Sequence, residues 1–237
     1  MKINSSVVDA VLTGKKVPME GRKAFTAIAK QKCDGIQAVN SLGFLEDEQG
    51  DPSRHGGIEK AIHHYPFDHY RAWRSELGDD VPLLHGPGAF GENISSTGMT
   101  EESCCVGDIY RVGTCILQIS QARQPCWKLN VRFNRSNMAR RVQETGRTGW
   151  YYRVLEPGVI GAGDTIELME RQFPQWTLAR LLSVFYDRHR WLDRRELEEI
   201  AALEPLSQSW RKVALGRLER GTLEDWSPRL DGAPSVA

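Results

Sequence analysis

Gly107-Asp108-Ile109-Tyr110-Arg111-Val112-Gly113-Thr114-Cys115-Ile116-Leu117-Gln118-Ile119-Ser120 decides the fold class of this chain. A Gly-Asp turn opens an alternating segment and Gly113-Thr114 reverses it. In the return segment Cys115, Leu117 and Ile119 fall on one face, with Gln118 and Ser120 on the other, the two-residue period of a half-buried strand. The stretch reads as a β-hairpin whose second strand ends at a loop containing Cys126. The same signature recurs at Gly163-Asp164-Thr165-Ile166-Glu167-Leu168-Met169, where Ile166 and Leu168 share a face. Further strands are expected at Ala24 to Ala29, Ile36 to Val39 and Gly149 to Val154, separated by Gly- and Pro-rich turns. Many short strands in one chain point to a barrel or sandwich rather than a parallel α/β sheet. Helices are expected at Ile58 to His64, Phe67 to Leu77 and Asn137 to Thr145. The first unit is mostly β with inserted α.

After Phe173-Pro174 the texture changes. Thr177 is a plausible N-cap for Leu178, Leu181, Leu182 and Phe185 at helical spacing. Asp193 caps a second helix carrying Leu197, Ile200 and Ala201, and Ser207 opens a third carrying Trp210, Val213 and Leu218. The expected division is a β domain over 1–172, a three-helix unit over 173–222 and a flexible tail over 223–237. A helix-turn-helix array has this order of elements. Residues 174–237, however, hold ten basic residues against ten acidic ones, and phosphate contacts supply most non-specific DNA affinity. Nucleic acid is therefore not an expected partner; a helical cap, a partner-docking face or a homodimer element is.

The 237 residues carry 31 basic and 31 acidic side chains, so any electrostatics that matter must be local. The N-terminal twenty residues lack an apolar run of signal-peptide length, and no stretch approaches the ~20 apolar residues of a membrane span. A cytoplasmic protein without membrane association is expected. Five irregularly spaced cysteines, at 33, 104, 105, 115 and 126, do not form a disulfide framework. Without a CxxC pair, a structural zinc site has little support.

Cys126 stands out. From Gln121 to Arg153 there are eight basic residues and one acid, Glu144. Nearby cations favour the thiolate, the form that attacks electrophiles and binds metals, and the same field would hold an anionic ligand beside the sulfur. A second candidate is Asp47 to Gly57, where Arg54, His55 and a double glycine precede the expected helix at Ile58. Backbone N–H groups at such a helix start receive anions. In Phe90-Gly91-Glu92-Asn93-Ile94, Asn93 offers a donor and an acceptor to a heterocycle. His63 and His64, placed on that helix, would diverge by ~100° and could not share an ion. Vicinal Cys104-Cys105 reads as strand packing. A hydrolase with Cys126 as nucleophile, His55 or His64 as base and Asn130 as orienter is an alternative enzyme.

Taken in order, Thr26-Ala-Ile-Ala-Lys30, Asp47-Glu-Gln-Gly-Asp51, His55-Gly-Gly57 with Lys60-Ala-Ile-His-His-Tyr65, Phe90-Gly-Glu-Asn-Ile94, Gly98-Met-Thr-Glu101, Gly107-Asp108 and Arg123-Gln-Pro-Cys-Trp-Lys-Leu129 resemble the MOSC family. These are the molybdenum-cofactor sulfurase C-terminal-like domains, and the likeness is to the bacterial branch with a C-terminal three-α-helix extension. It runs from about Gly21 to Glu219. It implies a β-barrel with peripheral helices and a bound molybdenum cofactor (Mo-molybdopterin), with Cys126 as catalytic residue and molybdenum ligand. Lys30, Arg54, His55 and Arg123 become candidates for the phosphate and pterin, and Asn93 and Gln124 for polar contacts. The chain departs from the family pattern at Glu46, where glycine is common before the aspartate, and at Lys30-Gln-Lys-Cys-Asp34, where Lys32 competes with Lys30. The implied activity is reduction of N-hydroxylated compounds, such as 6-hydroxylaminopurine to adenine, in detoxification of base analogues. No G-x-G-x-x-G follows a strand, so an external flavoprotein reductase is implied as electron donor. A molybdenum-cofactor or sulfur carrier using a Cys126 persulfide is the alternative.

Overall fold

The hairpin forms part of the wall of a closed barrel. The computed structural model describes residues 5–232, the side chains of Ser53 and Arg54 excepted. Its strands are β1 (Ser5–Thr13), β2 (Val17–Pro18), β3 (Phe25–Thr26), β4 (Gln31–Lys32), β5 (Gln37–Asn40), β6 (Gly43–Phe44), β7 (Ile62–Pro66), β8 (Ile94–Ser96), β9 (Ile109–Val112), β10 (Cys115–Ala122), β11 (Trp150–Glu156), β12 (Gly158–Ile160) and β13 (Thr165–Glu170). Seven of them close in the order β1-β8-β7-β11-β10-β9-β13 and back to β1. Every pairing around the ring is antiparallel except β7 with β8. The expected hairpin is β9–β10, with Cys115 opposite Val112 and Leu117 opposite Tyr110. Closure leaves the seven-strand ring without an open edge.

The helices are α1 (Pro52–His55), α2 (Asp68–Leu77), α3 (Lys128–Arg132), α4 (Met138–Thr145), α5 (Leu178–Tyr186), α6 (Arg194–Ala202), α7 (Gln208–Arg220) and α8 (Ser227–Leu230). The three expected N-caps are all made: Thr177, Asp193 and Ser207 accept through their side chains from the backbone N–H groups of Arg180, Glu196 and Trp210. β10 is buried on both faces because these helices cover its outer side. The Ser207 N–H donates to the Ser120 carbonyl at 2.8 Å, and Leu181, Phe185, Ile200 and Trp210 join Val112, Leu117, Ile119 and Trp150 in one apolar core. A second core, around Tyr65, Trp73, Phe90, Leu129, Met138 and Val142, seats α2, α3 and α4 beside the barrel.

Three expectations are corrected. The expected helix at Ile58 to His64 is a 3-10 turn, Ile58–Lys60, followed by strand β7. All five residues of β7 are buried, so no polar face marks a period of two, and the pattern mimics a short helix. The strand expected at Ala24 to Ala29 contracts to Phe25–Thr26, paired only with β2. The tail expected to be flexible is docked as far as it is described: Leu230 is fully buried in the second core, and residues 233–237 lie outside the described residues. The strand β1, which closes the barrel against β13, was not anticipated from Met1 to Glu20.

Among the described residues no helix is long and apolar enough to cross a membrane.

Candidate functional site

β10 ends at Ala122, but the Arg123 N–H still donates to the Gly149 carbonyl at 2.9 Å, carrying the sheet one residue further. Gln124-Pro125 then leaves the barrel, and the Cys126 carbonyl accepts from the Leu129 N–H at 2.9 Å as α3 begins. Cys126 is thus held between a strand end and a helix start, buried but for 9% of its surface. Its sulfur lies 3.5 Å from His55 Nε2, at the end of α1.

Two cavities meet there. The inner one, about 570 Å³ including its mouth, is walled by Thr26 to Ile28, Lys30, Asp47, His63, Phe90, Asn93 and Arg123. The outer chamber, about 1580 Å³ including the open solvent at its mouth, is walled by Lys16, Lys23, Phe25, Gln121, Gln124, Trp127, Pro228 and Arg229. His55, Lys60, Cys126, Lys128 and Tyr151 line both.

The basic surround comes from a different set of residues than the local sequence indicates. Of the eight cations between Gln121 and Arg153, only Arg123 and Lys128 face these cavities. Arg132 and Arg135 donate to the carbonyls of Gly88 and Leu77, Arg141 and Arg147 pair with Glu76, Arg140 with Asp231, and Arg153 with Glu59. Lys30 and Lys60 are brought in from distant segments. The wall therefore remains cationic around Cys126 even though the contiguous basic run disperses.

Arg123 is the clearest ligand-facing group. It is 6% exposed, and its Nη1 has no hydrogen-bond partner among the described residues, an arrangement that leaves a buried donor available to an anion. His55 Nδ1 and His63 Nε2 are likewise without partners among the described residues. Burial, reinforced by Lys128, Arg123 and Lys60, pushes the His55 imidazole down to about 4, so it is neutral at neutral pH. Burial raises the Tyr151 phenol against the pull of Arg123.

The other sequence candidates divide. Lys30 rather than the exposed Lys32 faces the inner cavity, but its ammonium is bonded to the Asp47 carboxylate, and burial pulls its pKa down against that partner. Asn93 also faces the cavity, yet its amide is committed: Nδ2 donates to the Leu12 carbonyl and to Asp47, and Oδ1 accepts from the His63 N–H. Gln124 lines only the outer chamber. The Arg54 side chain lies outside the described residues. The helix start expected to receive an anion after Gly56-Gly57 is replaced by the 3-10 turn. The sequence assigns no role to Lys60, Lys128 or Tyr151. The first two stood within the quoted motifs, but only the fold turns them towards Cys126.

Of the alternative hydrolase triad, the Cys126–His55 pair forms at 3.5 Å, but Asn130 does not join it and His64 is held elsewhere. Asn130 accepts from the Ala139 N–H and donates to the Leu230 carbonyl, and His64 is hydrogen-bonded inside the barrel to Tyr152 and Ser96. On strand β7, His63 and His64 point to opposite faces, so they diverge more widely than on the expected helix. Burial pushes the Cys104 and Cys105 thiols up to about 12 and about 11, as befits packing residues.

Residues 51–167 match the MOSC domain family and residues 176–221 the YiiM-like 3-alpha helix domain. The chain is 38% identical over 223 residues to Protein YiiM of Escherichia coli strain K12, covering 94% of this chain and 97% of that one. It is 41% identical over 199 residues to a protein of Gibberella moniliformis named Reductase, covering 84% of this chain and 35% of the fungal protein. The crystal structure of YiiM from Escherichia coli superimposes with a TM-score of 0.80 at 32% identity, covering 95% of this chain and 98% of that chain. A shared barrel, a shared helical extension and near full-length similarity lead to one conclusion: the chain belongs to the MOSC family, in the branch that carries a YiiM-like 3-alpha helix domain.

Proposed function

We propose that this protein is a molybdenum-cofactor-dependent reductase of N-hydroxylated compounds, with hydroxylamino derivatives of purine bases such as 6-hydroxylaminopurine as its substrate class. The observation that carries this reading is the place of Cys126, which lines both the inner basic cavity and the outer chamber. A group seated inside would meet the thiol on one side and an incoming substrate on the other.

The residues present fit such a cofactor. A thiol is a soft ligand suited to the metal. The unpartnered Arg123 Nη1, flanked by Lys60 and Lys128, suits a phosphate. Arg123 would hold the anionic end of the cofactor, and Cys126 would ligate the metal. When bound, the cofactor supplies the two-electron chemistry that cleaves the N–O bond. Overall, the substrate takes up two electrons and two protons, the N–O bond breaks, and amine and water leave. A separate flavoprotein supplies the electrons. The chain's own part is to orient and exclude. His55, uncharged and 3.5 Å from the sulfur, orients Cys126 by a hydrogen bond while adding no charge. Phe25, Tyr151 and Trp127 furnish aromatic surface in the outer chamber, suited to a planar heterocycle. The fungal relative's name, Reductase, agrees with the reaction class.

The test is molybdenum content by elemental mass spectrometry, on protein purified anaerobically from a cofactor-competent host, beside Cys126→Ala. Near-stoichiometric metal that is sharply reduced in the variant is expected, followed by turnover of 6-hydroxylaminopurine with a flavoprotein donor. Metal-free protein from such a host would overturn the reading. Persulfide on Cys126 without molybdenum would replace it with a sulfur carrier.

A further inference from the structure

Both peptide groups of Cys126 end on one residue far away in the chain. The carbonyl of Pro125 accepts from Arg229 Nη1, and the N–H of Trp127 donates to the Arg229 carbonyl at 2.8 Å. Each of the two peptides that join Cys126 to its neighbours thus has one polar group held by Arg229, while the Cys126 carbonyl is held by the Leu129 N–H. The other arm of the guanidinium, Nη2, donates to Gln143 Oε1 at 2.6 Å and so ties the loop to α4.

The segment that carries Arg229 is itself anchored on both sides. Leu230 is fully buried beside α3 and α4, and its carbonyl accepts from Asn130 Nδ2 at 2.8 Å. Upstream, Arg217 of α7 is buried, donates to the Phe185 carbonyl, and pairs with Glu224 at 2.8 Å. Glu224 in turn accepts from Trp226 Nε1 at 2.7 Å, and the Trp226 ring packs 5.5 Å from that of Tyr186. A continuous path of contacts therefore runs from the three-helix unit, through Glu224 and Trp226, to the two peptides of Cys126.

We infer that Ser227–Leu230 is a clasp that sets the position of the Cys126 sulfur, that Arg229 is its positioning residue, and that this is what the three-helix unit contributes to the site. The inference rests on the reading of Cys126 as the reactive sulfur. Metal content tests that reading separately, because the clasp is measured on the thiol itself.

The experiment uses the full chain produced without molybdenum, comparing the parent with Arg229→Ala, Arg229→Lys and Asp231→Ala. The readouts are the limiting high-pH rate of Cys126 alkylation by iodoacetamide, followed by mass spectrometry, and hydrogen exchange at the Trp127 amide. Loss of two charge-assisted hydrogen bonds that oppose local opening predicts an increase of about tenfold in both for Arg229→Ala. Arg229→Lys, which keeps one charged donor, is expected to recover part of the difference. Asp231→Ala removes only the exposed pair with Arg140 and is expected to match the parent. Thermal melting of each variant separates a positioning effect from general loosening: a lower melting temperature with parent-like alkylation and exchange in Arg229→Ala would overturn the inference. Equal acceleration in Asp231→Ala would overturn it too.

Discussion

His55 Nε2 lies 3.5 Å from Cys126 Sγ although the two residues are 71 positions apart. The imidazole lies within hydrogen-bond reach of the sulfur, and Lys128, Arg123 and Lys60 act on it. Those cations and its burial hold it neutral. Following the His55 ring by NMR is expected to show no protonation between about pH 6 and 8, where an ordinary histidine titrates, and a midpoint near 4. A midpoint at or above the ordinary value would mean that an anionic sulfur dominates its surroundings.

Lys30 and Asp47 form a pair whose side chains are 7% and 3% exposed. Asp47 also accepts from the Gly14 N–H and from Asn93 Nδ2, so it joins β1, the loop after β6 and the loop before β8. Lys30→Met leaves that carboxylate buried without its cation, and removing one partner of such a pair costs about 3–5 kcal/mol. Urea unfolding is expected to show this loss. The double variant Lys30→Met with Asp47→Asn should recover much of it, and an equal loss in both would locate the cost in packing instead.

Arg123 behaves oppositely. Its Nη1 gains no hydrogen bond from the described protein, so Arg123→Met is expected to leave melting unchanged or higher. The parent should be stabilised by inorganic pyrophosphate, by about 2.7 kcal/mol at a hundredfold excess over the dissociation constant, and the variant should not. Identical stabilisation in both proteins, read by thermal shift, would remove Arg123 from the anion site.

Stability should also fall in acid through His64. Full burial pushes this imidazole down to about 3, against about 6.5 in the unfolded chain. The unfolded state therefore binds the proton first as pH falls. The stability carried by neutral His64 is complete above about pH 6.5 and drains towards pH 3, by a total on the order of 5 kcal/mol. Urea midpoints at neutral and mildly acid pH, compared with His64→Gln, are expected to show a shallower acid loss in the variant.

Local rules carried most of the architecture. Thr177, Asp193 and Ser207 were legible as caps because a side-chain oxygen followed three residues later by a free N–H is a local event. The β9–β10 hairpin was legible because polar side chains, Gln118 and Ser120, alternate with its apolar ones even though β10 is buried on both faces. β7 was not, because Ile62 to Pro66 is buried on both sides and presents no contrast. The candidate site was legible in part: Cys126, His55 and Arg123 were singled out and lie together. Asn93 and Lys30 also reach the cavity, but their polar groups are taken up by Leu12, His63 and Asp47. Lys60, Lys128 and Arg229 carried no local signal for a role beside the sulfur.

The sequence by itself determined the mostly β class, the three capped helices, the family and the singular loop around Cys126, because each depends on neighbours within a few residues or on an ordered set of motifs. Tertiary structure alone decided which charges surround the sulfur. It dispersed Arg132, Arg135, Arg140, Arg141, Arg147 and Arg153 to other partners, brought Lys60 in beside Arg123 and Lys128, and closed Arg229 over the peptides of Cys126. Charge acts through space, and barrel closure brings together residues whose separation along the chain carries no information about their distance.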